Sequence, residues 1–115
     1  MRQKIHSYIG FAKRSRELVS GTTSCINGLE KGKIRLLLIA GDTAESSMEK
    51  LVRAAERSQT TYRICFDRDS LSEMAGEYGR SVFGITGESL AKAILKEIDQ
   101  GEGRPDALEQ EGLNG

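Results

Sequence analysis

The chain has 115 residues, with 17 basic and 17 acidic side chains and one histidine, so its formal net charge is zero. This length suits a single domain with its own core, and a hydrophobic fraction of 37% excludes wholesale disorder, a collagen helix and a coiled-coil rod. The sequence contains neither an apolar run long enough to span a membrane nor a signal peptide, so we expect a cytoplasmic protein.

The charges are unevenly distributed along the chain. Residues 1–37 carry eight basic and two acidic side chains, whereas residues 99–115 carry one basic and five acidic side chains. A basic first third favours a polyanionic partner. The alternative is an ordinary solvated helix face near one end of the chain and a charged tail at the other.

The first third of the chain predicts two helices around a short strand. Residues 3–14 repeat apolar side chains at helical spacing, and Leu18 and Val19 are expected to form an edge strand. Thr22 or Thr23 is then expected to cap a second helix that runs to Lys31.

The rest of the chain alternates strands with helices. We predict strands at 34–40, 62–66 and 81–86 and helices at 45–58, 71–75 and 88–100. This alternation indicates an α/β domain over residues 1–100, with helices on both faces of a small sheet. The strand residues expected to be almost fully buried are Leu36, Leu38, Ile64, Val82 and Ile85. Residues 101–115, which are rich in glycine and acidic side chains, are expected to form a disordered tail.

No constellation in the sequence predicts catalysis. His6 is the only histidine and has no neighbouring cysteine or pair of acids, and Cys25 and Cys65 are expected to be reduced and buried. Asp67 and Asp69 follow a predicted strand, where a turn and a helix cap are favoured over a cation site. We therefore expect neither an enzyme nor a metal or cofactor site.

Residues 21–24, Gly-Thr-Thr-Ser, form the most distinctive segment. They place a glycine and three hydroxyls at a helix N-terminus, where unpaired N–H groups and the helix dipole attract phosphate. Lys13 and Arg14 lie shortly before this segment in the sequence. The alternative is an ordinary capped helix start.

Several motifs carry a family resemblance. They include Gly-Phe-Ala-Lys-Arg-Ser at 10–15, Leu-Val-Ser-Gly at 18–21, Gly-Lys-Ile-Arg-Leu-Leu-Leu-Ile-Ala-Gly-Asp at 32–42 and Arg-Ser-Val-Phe-Gly-Ile-Thr at 80–86. In this order and spacing, the chain resembles the YlxQ-like bacterial proteins of the L-seven-Ae (L7Ae) ribosomal protein superfamily, which are kink-turn RNA binders. The resemblance covers about residues 3–98.

The resemblance implies a fold and two RNA-binding surfaces. The fold is a three-layer α-β-α sandwich with a small mixed four-stranded sheet, in which Leu18-Val19 is the first strand. Family members bind RNA with the start of the second helix, beside sheared G·A pairs, and with the loop before the last strand, which contacts an unpaired nucleotide. Carried over by position, the first surface comprises Gly21, Thr22, Thr23, Ser24 and Asn27, with Lys13 and Arg14 as basic support and Asp42 as a nearby acid. The second surface comprises Glu77, Tyr78, Gly79, Arg80 and Ser81.

Three residues of the second helix and the loop before the last strand depart from the pattern of this family. The loop is usually apolar, whereas here it reads Glu77-Tyr78-Gly79-Arg80. Kink-turn binders typically carry an amide or basic residue followed by Glu or Gln where this chain has Thr23-Ser24, and Lys where it has Asn27. Short hydroxyls cannot make the bidentate contacts that read base edges. Contacts to phosphates and to RNA shape do not need those side chains.

From these features we predict a non-catalytic RNA-binding protein that is associated with the ribosome or another ribonucleoprotein. Its expected partner is structured, kink-turn-like RNA, ribosomal RNA included, without DNA specificity. The alternative is a protein-interaction module that kept the fold and lost specific RNA binding.

Overall fold

The computed structural model describes residues 2–101, with side chains from Lys4 onward. In chain order, its elements are α1 (Arg2–Arg14), β1 (Leu18–Ser20), α2 (Thr22–Glu30), β2 (Leu36–Ile39), α3 (Glu45–Arg57), β3 (Thr61–Ile64), α4 (Arg68–Ala75), β4 (Val82–Ile85) and α5 (Glu88–Asp99). Every predicted helix and strand is present. Of the predicted tail at 101–115, only Gly101 lies among the described residues, so the boundary at residue 100 stays a prediction.

The four strands form one mixed sheet in the order β1-β4-β2-β3. β2 pairs with β3 in parallel, whereas β4 runs antiparallel to both β1 and β2. The last strand therefore lies between the first and second strands, and within residues 2–101 β1 pairs with β4 alone. This arrangement confirms the predicted four-stranded mixed sheet.

Helices cover both faces of this sheet. Residues of α1, α4 and α5 pack on one face, in a cluster that includes Leu36 and Leu38. Residues of α2 and α3 pack on the other face with Leu37 and Ile39. Successive side chains of β2 thus alternate between two cores, which explains why this strand has a continuous apolar sequence. The predicted three-layer α-β-α sandwich is confirmed.

Burial of the strand residues follows the prediction with one exception. Leu36, Leu38, Val82 and Ile85 are at most 1% exposed, but Ile64 is 48% exposed, so its predicted burial is wrong. The reason is strand order. Because β3 is an edge strand, it has a strand neighbour on one side only, and Ile64 is its last residue.

The fourth helix begins at Arg68, three residues before the predicted start. A side-chain oxygen of Asp67 accepts a hydrogen bond from the backbone N of Ser70 at 2.8 Å. The helix ends at Gly76, which has the left-handed conformation with φ 68°. Asp67 is therefore an N-cap, which confirms the favoured interpretation of this acidic segment.

Both cysteines are free and buried, as the sequence predicts. Burial raises the pKa of the Cys25 and Cys65 thiols to about 12, because an apolar environment disfavours the charged thiolate. The folded chain therefore keeps both protons at a pH where the unfolded chain has lost them. The free energy of unfolding therefore keeps the full contribution of these thiols below about pH 9. That contribution is lost as the pH rises towards 12.

We expect alkylation of the two thiols by iodoacetamide at pH 8 to be about 1000-fold slower in the native protein than in urea, from the thiolate fraction alone. Mass spectrometry at timed intervals measures both rates. The same protein should melt at progressively lower temperature above pH 9. Equal alkylation rates in the native and unfolded protein would show that the thiols are accessible.

Candidate functional site

Segments that are distant in sequence meet at one end of the sheet, where β1 and β2 end and β4 begins. The backbone N of Gly21 donates to the carbonyl of Val82 at 3.0 Å, and the N of Ala40 donates to the carbonyl of Ser81 at 2.8 Å. We call this end of the sheet the site edge. It carries the start of α2 and the segment before β4, which are the two surfaces that the resemblance implies.

Gly21, rather than Thr22 or Thr23, occupies the N-cap position of α2. The predicted side-chain cap is therefore wrong: Gly21 has φ 95° and ψ 152°, and no side chain accepts a hydrogen bond there. A glycine satisfies this conformation, which a side chain strongly disfavours. The first N–H groups of α2 are left for an external acceptor, at the positive end of the helix dipole.

Three of the predicted contact residues are exposed on the first turns of α2. They are Thr23, Ser24 and Asn27. Thr23 and Asn27 are four residues apart in the helix and so share one face. The structure therefore leaves all three side chains accessible beside the start of the helix.

The start of α2 and the segment before β4 form one continuous surface because Arg80 lies against Gly21. A Cβ added to Gly21 would come within 3.0 Å of Nη1 and 3.5 Å of Cζ of the Arg80 guanidinium. The start of α2 therefore has a cation beside it that comes from a segment about 60 residues later. Sequence reasoning assigned both residues to RNA contacts, but gave no sign that they touch.

Residues 76–81, which we call the β4 loop, are fixed at their ends and project in the middle. The buried Ser72 hydroxyl donates to the carbonyl of Arg80 at 2.7 Å, and the backbone N of Glu77 donates to the carbonyl of Ser72 at 3.0 Å. Between them, Tyr78 is 81% exposed and Gly79 has φ 81°. The loop therefore presents an aromatic ring to solvent beside Arg80.

Glu77 links the β4 loop to α1 and β1. The Ser20 hydroxyl donates to its Oε1 at 2.8 Å, and Lys13 Nζ lies 3.6 Å from its Oε2. Lys13 also donates a hydrogen bond to the carbonyl of Gly76 at 2.9 Å. The contacts of Lys13 span 63 residues of sequence, which is why no local pattern could have indicated them.

Arg14 differs from Lys13, its neighbour in the sequence. Its side chain is exposed and makes no hydrogen bond or ion pair within residues 2–101. It lines an open groove of about 430 Å³ between α1 and the end of α4. Of these two basic residues, Arg14 therefore keeps its charge available to a ligand.

Asp42 serves the fold at the site edge. Its Oδ1 accepts a hydrogen bond from the backbone N of Arg68, the first residue of α4, at 2.8 Å. An acid at this position also complements the positive end of the helix dipole. Asp42 thus ties the end of β2 to the start of α4, while the resemblance placed it near the RNA.

The described residues hold no group of three or more histidine, cysteine, aspartate and glutamate side chains that is arranged to bind a metal ion. Within the same part of the chain, no helix has the length and apolar character needed to cross a membrane. What the site edge offers to a ligand is a helix N-terminus, the Arg80 guanidinium, exposed hydroxyls and an aromatic ring.

The fold places the chain among α-β-α sandwich proteins with solved structures. One is a Bacillus halodurans protein of unknown function, with a TM-score of 0.78 and 22% identity over 82% of this chain and 95% of that one. Another is the Giardia lamblia 15.5kD RNA binding protein, with a TM-score of 0.68 and 15% identity over 87% of this chain and 86% of that one.

Residues 3–98 match the Ribosomal protein L7Ae/L30e/S12e/Gadd45 family, and the chain belongs to that family. It is 23% identical over 91 residues to the RNA-binding protein YlxQ of Bacillus subtilis (strain 168), which covers 79% of this chain and 91% of that protein. These matches confirm the resemblance seen in the sequence motifs, that of a YlxQ-like member of the L7Ae superfamily.

Proposed function

We propose that this chain is a non-catalytic, cytoplasmic RNA-binding protein that recognises structured, kink-turn-like RNA through the start of α2 and the β4 loop. The observation that carries the proposal is the contact between Gly21 and the Arg80 guanidinium, which merges two separate segments into one anion-attracting surface. The names of YlxQ and of the Giardia protein, both RNA-binding, support it. Ribosomal RNA is among the structured RNAs that this surface suits.

Phosphate binding at this surface uses backbone and side-chain groups together. The uncapped start of α2 supplies N–H donors and a positive dipole end. Arg80 adds a guanidinium beside them, and Arg14 adds a second charge on α1. Arginine suits this role because its planar fork matches phosphate oxygens in a bidentate geometry.

Tyr78 supplies the contact that distinguishes bulged from straight RNA. Its ring is 81% exposed at the projecting part of the β4 loop. Aromatic rings stack on unpaired bases, whereas bases inside a regular duplex are already stacked on one another. An RNA with an extruded nucleotide therefore gains a contact that a straight duplex lacks.

Thr23, Ser24 and Asn27 set the expected degree of sequence readout. Their short side chains are exposed on α2, but they cannot form the bidentate contacts that discriminate base edges. Recognition in this protein therefore depends mainly on phosphate positions and RNA shape.

We expect the full chain to bind a kink-turn RNA more tightly than a straight duplex, with total ribosomal RNA as a third probe. Filter binding at several salt concentrations measures each Kd and its salt dependence. Arg14→Ala should reduce the slope of log K against log salt by about 0.7–0.9, the contribution of one phosphate contact. The Arg14→Ala variant should also bind all three RNAs more weakly than the unmodified chain does.

Arg57→Ala is the matched control. Arg57 is exposed at the end of α3, next to the start of β3. It therefore lies at the end of the sheet opposite to the site edge. Its loss should leave the slope unchanged. If the unmodified chain binds none of the RNAs at low salt, the protein-interaction module replaces the RNA-binding proposal.

A further inference from the structure

We propose that Glu77 is a positioning residue for RNA recognition, which together with Lys13 braces the β4 loop so that Tyr78 and Arg80 face the RNA. The inference rests on the proposed function and deepens it. It explains why an acidic residue, Glu77, lies within a surface that attracts phosphate.

The contacts of Glu77 reach three separate elements. Its carboxylate accepts from the Ser20 hydroxyl at the end of β1 and lies 3.6 Å from the Lys13 ammonium on α1. Its backbone N donates to the carbonyl of Ser72 on α4. Gly76 and Gly79, on either side, have positive φ and no side chains, so the Glu77 side chain attaches this half of the loop to β1 and α1, in addition to the hydrogen bond that Ser72 makes at Arg80.

Lys13 completes the brace from the other side. Its ammonium donates to the carbonyl of Gly76, where α4 ends and unpaired carbonyls make the dipole end negative. The same ammonium lies close to Glu77, so its charge is already directed towards two groups of the protein. Lys13 therefore acts on the RNA through the loop, whereas Arg14 acts on it directly.

Simple electrostatics and positioning predict opposite results for the loss of Glu77. If the acid only repels phosphate, its removal strengthens binding to every RNA by a similar factor. If it positions the loop, its removal releases Tyr78 and Arg80, and the preference for kink-turn RNA over duplex falls. The ratio of the two dissociation constants separates these cases, because a uniform charge effect cancels in it.

The test compares variants of the full chain for binding to a kink-turn RNA and a straight duplex. Glu77→Ala and Lys13→Ala should each reduce the ratio of duplex Kd to kink-turn Kd by about tenfold, the equivalent of one charge-assisted hydrogen bond. The double variant should lose no more than either single variant, since both disrupt one brace. Glu77→Gln, which retains an acceptor for Ser20, should recover part of the ratio.

Glu73→Ala is the matched charge control. Glu73 is exposed on α4, four residues before Glu77, and its side chain makes no hydrogen bond or ion pair within residues 2–101. Its removal should change both dissociation constants alike and leave their ratio intact. Circular dichroism confirms that each variant is folded.

Limited trypsin digestion gives a readout without RNA. Cleavage after Arg80 requires the β4 loop to open, so Glu77→Ala should accelerate it by about threefold or more, while Glu73→Ala should not. If the unmodified chain shows no kink-turn preference, the proposed function fails and the role of Glu77 in recognition fails with it. If the kink-turn preference is present in the unmodified chain and survives in Glu77→Ala, the positioning role of Glu77 is wrong but the proposed function stands. Equal trypsin rates for the two glutamate variants would lead to the same conclusion.

Discussion

Replacing Leu38 by alanine is expected to lower the free energy of unfolding by about 2–5 kcal/mol. Leu38 is 0% exposed and lies in β2, which has a strand on either side and helices over both faces. Its Cα partner on β4 is Phe83, which is also fully buried. The truncated side chain would therefore leave a cavity that a packed sheet cannot close.

Urea denaturation measures this loss, and Ile64→Ala provides the matched control. Ile64 lies in the neighbouring strand β3, but it is 48% exposed, so its truncation should cost less than about 1 kcal/mol. Similar losses for the two variants would contradict the strand order, because that order is the reason for their different burial.

Gly21→Val should have the largest effect on RNA binding. Gly21 has φ 95° and ψ 152°, a conformation essentially restricted to glycine, and a Cβ there would meet the Arg80 guanidinium. We expect about 1–3 kcal/mol of lost stability from backbone strain. We also expect the affinity for kink-turn RNA to fall by about tenfold or more, because a displaced Arg80 guanidinium no longer makes its charge-assisted contact with the RNA.

Gly32→Val separates strain from site damage. Gly32 also has a positive φ, of 68°, but nothing lies within 4 Å of a Cβ added there. This variant should lose stability while it retains RNA affinity at a temperature where it is folded. Thermal melts and filter binding on both variants make the comparison. If Gly21→Val retained its RNA affinity, the site would have to be sought away from the start of α2.

Local patterns were sufficient to predict the elements of this fold. The apolar run at 34–40 indicated a strand buried on both faces, and helical spacing identified α1, α3 and α5. The prediction that Ile64 is buried was wrong, because a strand motif does not show which strands lie beside it in the sheet. Only the sheet order shows that β3 lies at an edge.

The sequence indicated residues for the candidate site, and their role stays a prediction, but it did not indicate the contacts among them. A glycine followed by hydroxyls pointed to the start of α2, and the family motif pointed to the β4 loop. The pairs Gly21–Arg80 and Lys13–Glu77 join residues about 60 positions apart, so no local period connects them. The resemblance likewise placed Asp42 near the RNA, whereas its observed partner is the backbone N of Arg68, the first residue of α4.

The position of β4 between β1 and β2 has a consequence for synthesis of the chain on the ribosome. Among the strands that the structure describes, β1 pairs with β4 alone, so it has no such partner until residues 82–85 have been made. The same segment brings Arg80 to Gly21. A nascent chain that ends before β4 contains both strands of the parallel β2–β3 pair, but it lacks the two antiparallel pairings and therefore a completed site edge. If the proposed function holds, the RNA-binding surface is thus completed in the same step that closes the sheet.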